Sequence, residues 1–239
     1  MSLDVLYADN HLLVVAKPAG LPVVPDSSGD PSLVDLAKAW IAREHDKPGA
    51  VFLGVVHQLD RPVSGVVCLA RTSKAAARLT AAFKARRVHK TYLGLGVGPW
   101  PVGLEQEGEV VQWLHKDKRQ NRVHAWSRAG AAPAEAKQAV SRYRRLAGDE
   151  QLQLLRLEPH TGRSHQLRLA ARALGLPLAG DLRYGKGLEP LVDRSIGLHA
   201  LELVVPHPTK KEPVVFRAPL PAGAWWDPWR DVDPGEPIG

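Results

Sequence analysis

At 239 residues the chain can bury one sizeable core or two small ones, and its 44% hydrophobic and 24% charged content is ordinary for a soluble globular protein. Its single cysteine excludes an internal disulfide framework and a cysteine-based zinc site, and no apolar run approaches the ~20 residues that cross a bilayer. A net charge of +7 favours a polyanionic partner, and an opening of Met1-Ser2-Leu3-Asp4, without the regions of a signal peptide, predicts a cytoplasmic protein.

Residues 12–16 read as a strand closed by the turn signal Lys17-Pro18-Ala19-Gly20. A Pro/Gly/Ser-rich loop follows over 21–30. Asp30 then serves as N-cap and Pro31 as first helical residue of a helix whose Leu33, Leu36, Ala37, Trp40 and Ile41 recur at helical spacing. The apolar runs 51–56 and 65–70 read as buried strands on either side of a tight loop, and Cys68 sits within the second as a core residue. Ser73 opens a second helix with Ala76, Leu79 and Phe83 inward. Strand-like segments follow over 91–97, 109–114, 123–126, 140–146 and 151–158, then a third helix over 163–174 stopped by Gly175. Residues 201–205 and 214–216 are further strands, and 222–239 is a Trp/Pro-rich tail docked by its tryptophans. Many strands with a few helices, not strictly alternating, predict an α+β fold around a mixed sheet, in one domain spanning 1–239.

The loop between the two apolar runs, His57-Gln58-Leu59-Asp60-Arg61-Pro62-Val63-Ser64-Gly65, carries one acid with bases beside it. Proline restrains Arg61 to extended backbone, and Gly65 permits a sharp re-entry into the strand. A carboxylate fixed at the mouth of a sheet suits a site better than a core. On the third helix Arg163 shares the inward face with Leu167, Ala170, Ala171 and Leu174, and a buried guanidinium must find an anion. Periodicity leaves three answers open: Asp60, Glu158, or a side chain bent outward at the helix start.

In the segment 89–97, Tyr92, Gly94 and Gly96 share one face. A planar ring could stack on the phenol over the two glycines, but spacing alone favours a helix packed closely on them. Lys84, Arg86, Arg87, His89 and Lys90 form a second basic cluster, part of which has a bland reading as cations complementing a helix C-terminus. The loop 115–122, with Lys116, Lys118, Arg119 and Arg122, has no such excuse and is a candidate phosphate contact. His57, His160, His165 and His199 lack metal-site spacing, and Gly54, Gly94, Gly96 and Gly98 form no nucleotide-binding fingerprint, so neither metal nor nucleotide cofactor is expected.

These features together resemble the RluA-type RNA pseudouridine synthases through nearly the whole chain. The resemblance is carried by 7–20 (YADNHLLVVAKPAG), 57–65 (HQLDRPVSG), Lys90-Thr91-Tyr92, 161–168 (TGRSHQLR), 175–181 (GLPLAGD), Tyr184-Gly185, Leu198-His199-Ala200 and His207-Pro208, in that order. It implies a mainly antiparallel mixed sheet with flanking helices and a central cleft, and an enzyme that isomerises uridines in structured RNA, ribosomal or transfer, without metal or organic cofactor. Asp60 would be the catalytic carboxylate, Tyr92 would stack on the uracil, and Arg163 would pair with Asp60. Leu198 would line the base pocket, and His57, Gln58, Arg61, Lys118 and Arg119 are read as further substrate contacts. Gln58 stands where the family commonly has arginine, and Val63 where threonine is frequent. The small basic RNA-binding domain that precedes the catalytic domain in some members is not expected here, and the protein is expected to be a monomer without membrane association. A glycoside hydrolase and a non-catalytic RNA-binding module are the rival readings.

Overall fold

A computed structural model describes residues 3–44, 50–117, 119–120, 122–191, 193–210 and 212–238. Along the chain its strands and helices are β1 (Asp4–Ala8), β2 (Leu12–Lys17), α1 (Leu33–Glu44), β3 (Gly54–Val55), β4 (Ser64–Ala70), α2 (Ser73–Lys84) and β5 (His89–Val97). They continue as β6 (Glu107–Asp117), β7 (Arg122–Trp126), β8 (Lys137–Gly148), β9 (Leu152–Pro159), α3 (Gln166–Ala173), β10 (Leu198–Pro206) and β11 (Pro213–Arg217). The chain divides into two compact units: Met1–Lys90 with Asp193–Ser195 and His199–Ala222, and Thr91–Val192 with Ile196–Leu198 and Gly223–Gly239. The fold is α+β with mostly antiparallel strand pairs.

In the first unit the apolar run of β2 lies antiparallel to β4, with Leu12 opposite Ala70 and Lys17 opposite Gly65. Leu12, Leu13, Val14, Val15, Val67, Cys68 and Leu69 are wholly buried, as continuous apolar runs require. β10 pairs in parallel with the start of β4 through His199–Ser64 and Ala200–Gly65. Gly65 has φ +123°, and a Cβ there would lie 2.3 Å from the Ala200 carbonyl oxygen, so only glycine fits. The Ser64 hydroxyl and His199 Nδ1, 2.8 Å apart, cross-link the two strands, and burial holds His199 down to about 4, neutral at pH 7.

Two local expectations, the cap of α1 and the strand over 51–56, are corrected, while the start of α2 at Ser73 and the burial of Cys68 are as expected. The cap of α1 is Ser32 rather than Asp30. Ser32 and Asp35 exchange bonds as a capping box, the Asp35 carboxylate accepting from the Ser32 N–H at 3.0 Å and hydroxyl at 2.7 Å. α2 is capped by Thr72, whose hydroxyl accepts from the Ala75 N–H. The run 51–56 yields only the two-residue β3, with Phe52 half exposed. α2 presses on β3 so closely that a Cβ on Gly54 would come within 2.7 Å of the Ala76 methyl. Cys68 is a core residue, and burial pushes its thiol up to about 12. Native protein at pH 8 is therefore expected to resist iodoacetamide for hours while denatured protein is alkylated in minutes. Intact-mass spectrometry checks this, and rapid native labelling would contradict the burial.

In the second unit the strands are antiparallel in the order β5-β9-β8-β6-β7. α3 packs on β6, β8 and β9, and Leu169 joins Leu114, Val123, Ala139 and Tyr184 in a small core. Tyr92 pairs across β5 and β9 with Leu157. The two glycines beyond Tyr92 are covered: a Cβ at Gly94 would meet Leu157 and Leu178, and one at Gly96 would meet Leu176. Close packing is therefore the correct reading of these glycines. The cover is the extended segment after α3, bridged to β5 at Gly96–Leu178, rather than a helix.

The C-terminal segment is fastened in a way the sequence did not suggest. Trp226 is buried, but Trp225 is substantially exposed. The fastening is made by three sheet arginines donating to main-chain oxygens: Arg142 to Ile238 and Arg144 to Glu236, at 2.8 and 2.9 Å, and Arg156 to Pro234 and Gly235. Arg156 is buried, and Glu158 at 2.6 Å and the Thr91 hydroxyl at 3.2 Å supply its remaining partners.

Candidate active site

The loop bearing Asp60 is built from the first unit. β3 leads into it and β4 leaves it, and the buried Leu59 anchors its middle. The Val63 N–H donates to the Asp60 carbonyl at 3.0 Å, closing a turn that leaves the Asp60 side chain partly exposed. A second turn is laced to the first. The Gly20 N–H donates to the Arg61 carbonyl at 2.8 Å, and Arg61 Nε returns a bond to the Gly20 carbonyl at 2.9 Å.

Lys17 holds both turns. Its side chain is buried, 1% exposed, and its ammonium donates to the carbonyls of Pro18, Leu21 and Arg61 at 2.9, 2.8 and 3.2 Å. Burial lowers its pKa to about 7. The negative charge of Asp60 works against that fall, which marks the two groups as electrostatic neighbours. From the sequence alone Lys17 is only part of the turn signal 17–20. The available signal was a lysine ending an apolar run of five residues, 12–16, a place where a cation must find several acceptors.

The bases around Asp60 are used inside the protein. Arg61 donates to Asp26 and Ser28 and is paired with Asp30, and the Asp30 bond chiefly holds its pKa above the ordinary value. His57 Nε2 accepts the Cys68 N–H at 2.9 Å, and its ring stacks on Phe83 at 5.1 Å. Burial, with help from the Lys90 charge, pushes His57 down to about 3, so it is a neutral anchor for the loop. Gln58 is exposed beside it.

The second unit carries the other expected residues. Tyr92 is nearly buried on β5, and Leu198 is buried at the first position of β10. The expectation for Arg163 needs correction: α3 begins at Gln166, not at Arg163. His165 adopts a left-handed conformation at φ 54°, so residues 163–165 form a turn. Arg163 is exposed there and its Nε donates to the Gln138 carbonyl at 3.2 Å, while Glu158 is taken by Arg156. The guanidinium that α3 buries is Arg168, held in a two-pronged pair with Asp181 at 2.8 and 2.7 Å and lying over the Tyr184 ring at 5.0 Å. Gln166 organises the turn: its carbonyl oxygen accepts from the Arg163 N–H and the Thr161 hydroxyl, and its amide donates to Val140 and Ser141. Arg119 is exposed at the tip of the β6–β7 hairpin, where the Asp117 carboxylate accepts its N–H at 2.8 Å; Lys118 lies outside the described residues. Among the described residues no three His, Cys, Asp or Glu side chains converge as a metal site, and no helix is long and apolar enough to cross a membrane.

Comparison with known proteins agrees with this architecture. The structure superposes on human RNA pseudouridylate synthase domain containing 4 with a TM-score of 0.73 and 24% identity, covering 91% of this chain and 88% of that one, which places the fold among pseudouridylate synthase domains. In sequence, the chain is 34% identical over 231 residues to ribosomal large subunit pseudouridine synthase D of Xanthomonas campestris, covering 92% of this chain and 66% of the relative. It is also 34% identical over 220 residues to an uncharacterized RNA pseudouridine synthase of Zymomonas mobilis, covering 91% and 93%. The RNA pseudouridylate synthase family matches residues 11–173, and the chain belongs to that family of isomerases, in its RluA-type branch. The chain spans about two thirds of the length of the Xanthomonas relative and nearly all of the Zymomonas one.

Proposed function

We propose that the protein converts specific uridines of a structured RNA to pseudouridine, with Asp60 as the catalytic carboxylate and Tyr92 as the ring that stacks on the uracil. The observation that carries this reading is the restraint on Asp60: a partly exposed acid on a turn whose carbonyl is gripped by a buried ammonium. The conversion breaks the N1–C1′ bond, turns the base and joins C5 to C1′. The C5 proton leaves and N1 gains one, so mass is unchanged and no water, metal or redox partner is consumed. One carboxylate suffices for such a reaction. The target base must leave its stack, which costs a few kcal/mol. Phosphate contacts from a chain of net charge +7 offset that cost. The resemblance pairs Asp60 with Arg163, which is exposed on the turn before α3; the same segment also holds Arg168, buried and paired with Asp181. The relatives named for the large ribosomal subunit make its RNA the first substrate to examine, in the cytoplasm.

A carbodiimide map of pseudouridines in ribosomal and transfer RNA, from cells with and without this gene, is the direct test. At least one site should disappear and return when the gene is restored. An unchanged map, or release of free uracil from RNA by purified protein, would refute the isomerase in favour of a binding module or a hydrolase.

A further inference from the structure

An N-cap residue is ordinarily extended and spends its side chain on the N–H groups of the first helical turn. His165, the N-cap of α3, does neither. It is left-handed, at φ 54° and ψ 18°, and its side chain caps nothing, although its carbonyl accepts the Leu169 N–H at 3.1 Å. Arg86 also has a positive φ, but it follows the C-cap of α2, where a left-handed residue commonly closes a helix. For a residue with a Cβ this conformation costs free energy, and it persists only where the surroundings over-determine it.

Tyr184 supplies that determination. Its ring is buried in the small core with Leu114, Val123 and Leu169, and Arg168 lies over its face. Asp181 accepts from both the Arg168 guanidinium and the Tyr184 N–H. The phenol oxygen accepts the Val123 N–H at 3.0 Å. Burial raises the Tyr184 pKa, so the phenol keeps its proton, and His165 Nδ1 at 2.6 Å is the acceptor for it. Gln166 grips the same turn from its other side: its side-chain oxygen accepts the Arg163 N–H at 3.1 Å, and its main-chain N–H donates to the Arg163 carbonyl at 3.2 Å. A buried phenol needs some acceptor, which is the bland reading of the pair. That reading does not explain why the acceptor is a left-handed residue two positions from an exposed arginine.

We propose that Tyr184 is a positioning residue for the RNA-modifying reaction: its hydroxyl holds His165 left-handed and so shapes the turn that presents Arg163. The proposal rests on the reading that pairs Arg163 with the catalytic carboxylate, and Tyr184, His165 and Arg163 all belong to the second unit. His165 acts through its backbone conformation, not through its ring. Glycine reaches the left-handed region without a steric penalty, so it should stand in for the bonded pair. A histidine that touched the substrate could not be replaced in that way.

The test is single-turnover pseudouridine formation by the full-length protein on ribosomal and transfer RNA purified from cells lacking the gene, with affinity for the same RNA and melting temperature measured in parallel. Tyr184→Phe should react about 30-fold more slowly with affinity within about twofold of wild type, the scale of a small misplacement of a catalytic group. At position 165 the rate should follow tolerance of the left-handed region. His165→Gly and His165→Asn should stay within about threefold of wild type, His165→Ala should be about tenfold slower, and His165→Val slower still. The double variant Tyr184→Phe/His165→Gly should recover to within about fivefold of the wild-type rate. It should keep the lowered melting temperature of Tyr184→Phe, in which the Val123 N–H has lost its acceptor. Recovery of rate without recovery of stability is what a purely structural bond cannot give. Tryptic cleavage after the exposed Arg163, followed by mass spectrometry, reads the turn without reference to activity and should be at least about fivefold faster in Tyr184→Phe and His165→Val. Equal loss of rate in all four His165 variants would overturn the proposal in favour of a direct role for the imidazole. A Tyr184→Phe rate within about twofold of wild type would also overturn it. Should Tyr184→Phe fail to fold, the order within the His165 series decides. If the wild-type protein modifies no RNA, the isomerase reading fails, and unchanged cleavage after Arg163 in Tyr184→Phe and His165→Val is then the result that overturns the restraint.

Discussion

Asp60→Asn is expected to bind substrate RNA within about twofold of wild type and to lose at least about 10⁴-fold in the rate of pseudouridine formation. The substitution preserves volume, and the Asp60 main-chain bond to the Val63 N–H does not depend on the side chain. What it removes is a negative charge and the carboxylate's capacity to attack or to take a proton, functions worth about 10²–10⁴-fold for proton transfer alone and more when a covalent step is lost. Single-turnover measurements with saturating enzyme separate chemistry from binding. A variant that still turns over at a tenth of the wild-type rate would remove Asp60 from the mechanism. The same assay distinguishes the two arginines: the functional counter-charge is the one whose change to glutamine lowers turnover without weakening RNA binding. For Arg168→Gln the melting temperature must be followed as well, because its loss strands the buried Asp181.

Lys17→Met is expected to cost at least about 10²-fold in turnover while changing stability at pH 7 by no more than about 2 kcal/mol. Three carbonyls lose a donor, each worth on the order of 1 kcal/mol. Against this, burying an ammonium is itself expensive, and a methionine of similar shape avoids that cost. The terms oppose each other in stability but not in function: without Lys17 the turns at 17–21 and 60–63 lose a shared tether, and misplacement of a catalytic group by about 1 Å is worth about 10² in rate. The pH dependence supplies a second readout. The folded-state pKa of Lys17, about 7, lies below its ordinary 10.5, so between those values the unfolded chain holds a proton that the folded chain does not. Its contribution therefore grows as pH rises from about 7 to about 10.5 and is lost as pH falls back through 7. Denaturant unfolding across pH 6–10 should show a stability difference, wild type minus variant, that rises with pH. Lys90, depressed by burial in the same sense, is present in both proteins and cancels. A flat difference would mean that Lys17 stays protonated throughout.

The core strands and the first two helices were legible because their apolar runs and caps act locally: β2, β4, α1 and α2 fall within a few residues of where the pattern puts them. The errors arise where long-range packing decides. The run 51–56 has the composition of a strand, yet only Gly54 and Val55 reach β4. The third helix was started three residues early because nothing in the letters of Ser164-His165 announces a left-handed residue. That shift put Arg163 on an inward face that belongs instead to Arg168. That Asp60 stands on a loop ahead of a buried strand was legible from the apolar run that follows it. Lys17 was not, because its hydrogen bond to Arg61 spans 44 residues and uses a main-chain oxygen, which no side-chain pattern encodes.

The closing segment shares that property. Since the arginines of β8 and β9 grip peptide oxygens of Pro234, Gly235, Glu236 and Ile238 rather than their side groups, the fastening is indifferent to spelling. Point changes across that stretch leave the grip intact. Shortening it would deprive the enclosed Arg156 of two acceptors at once, beside the strand residue, Thr91, that precedes Tyr92.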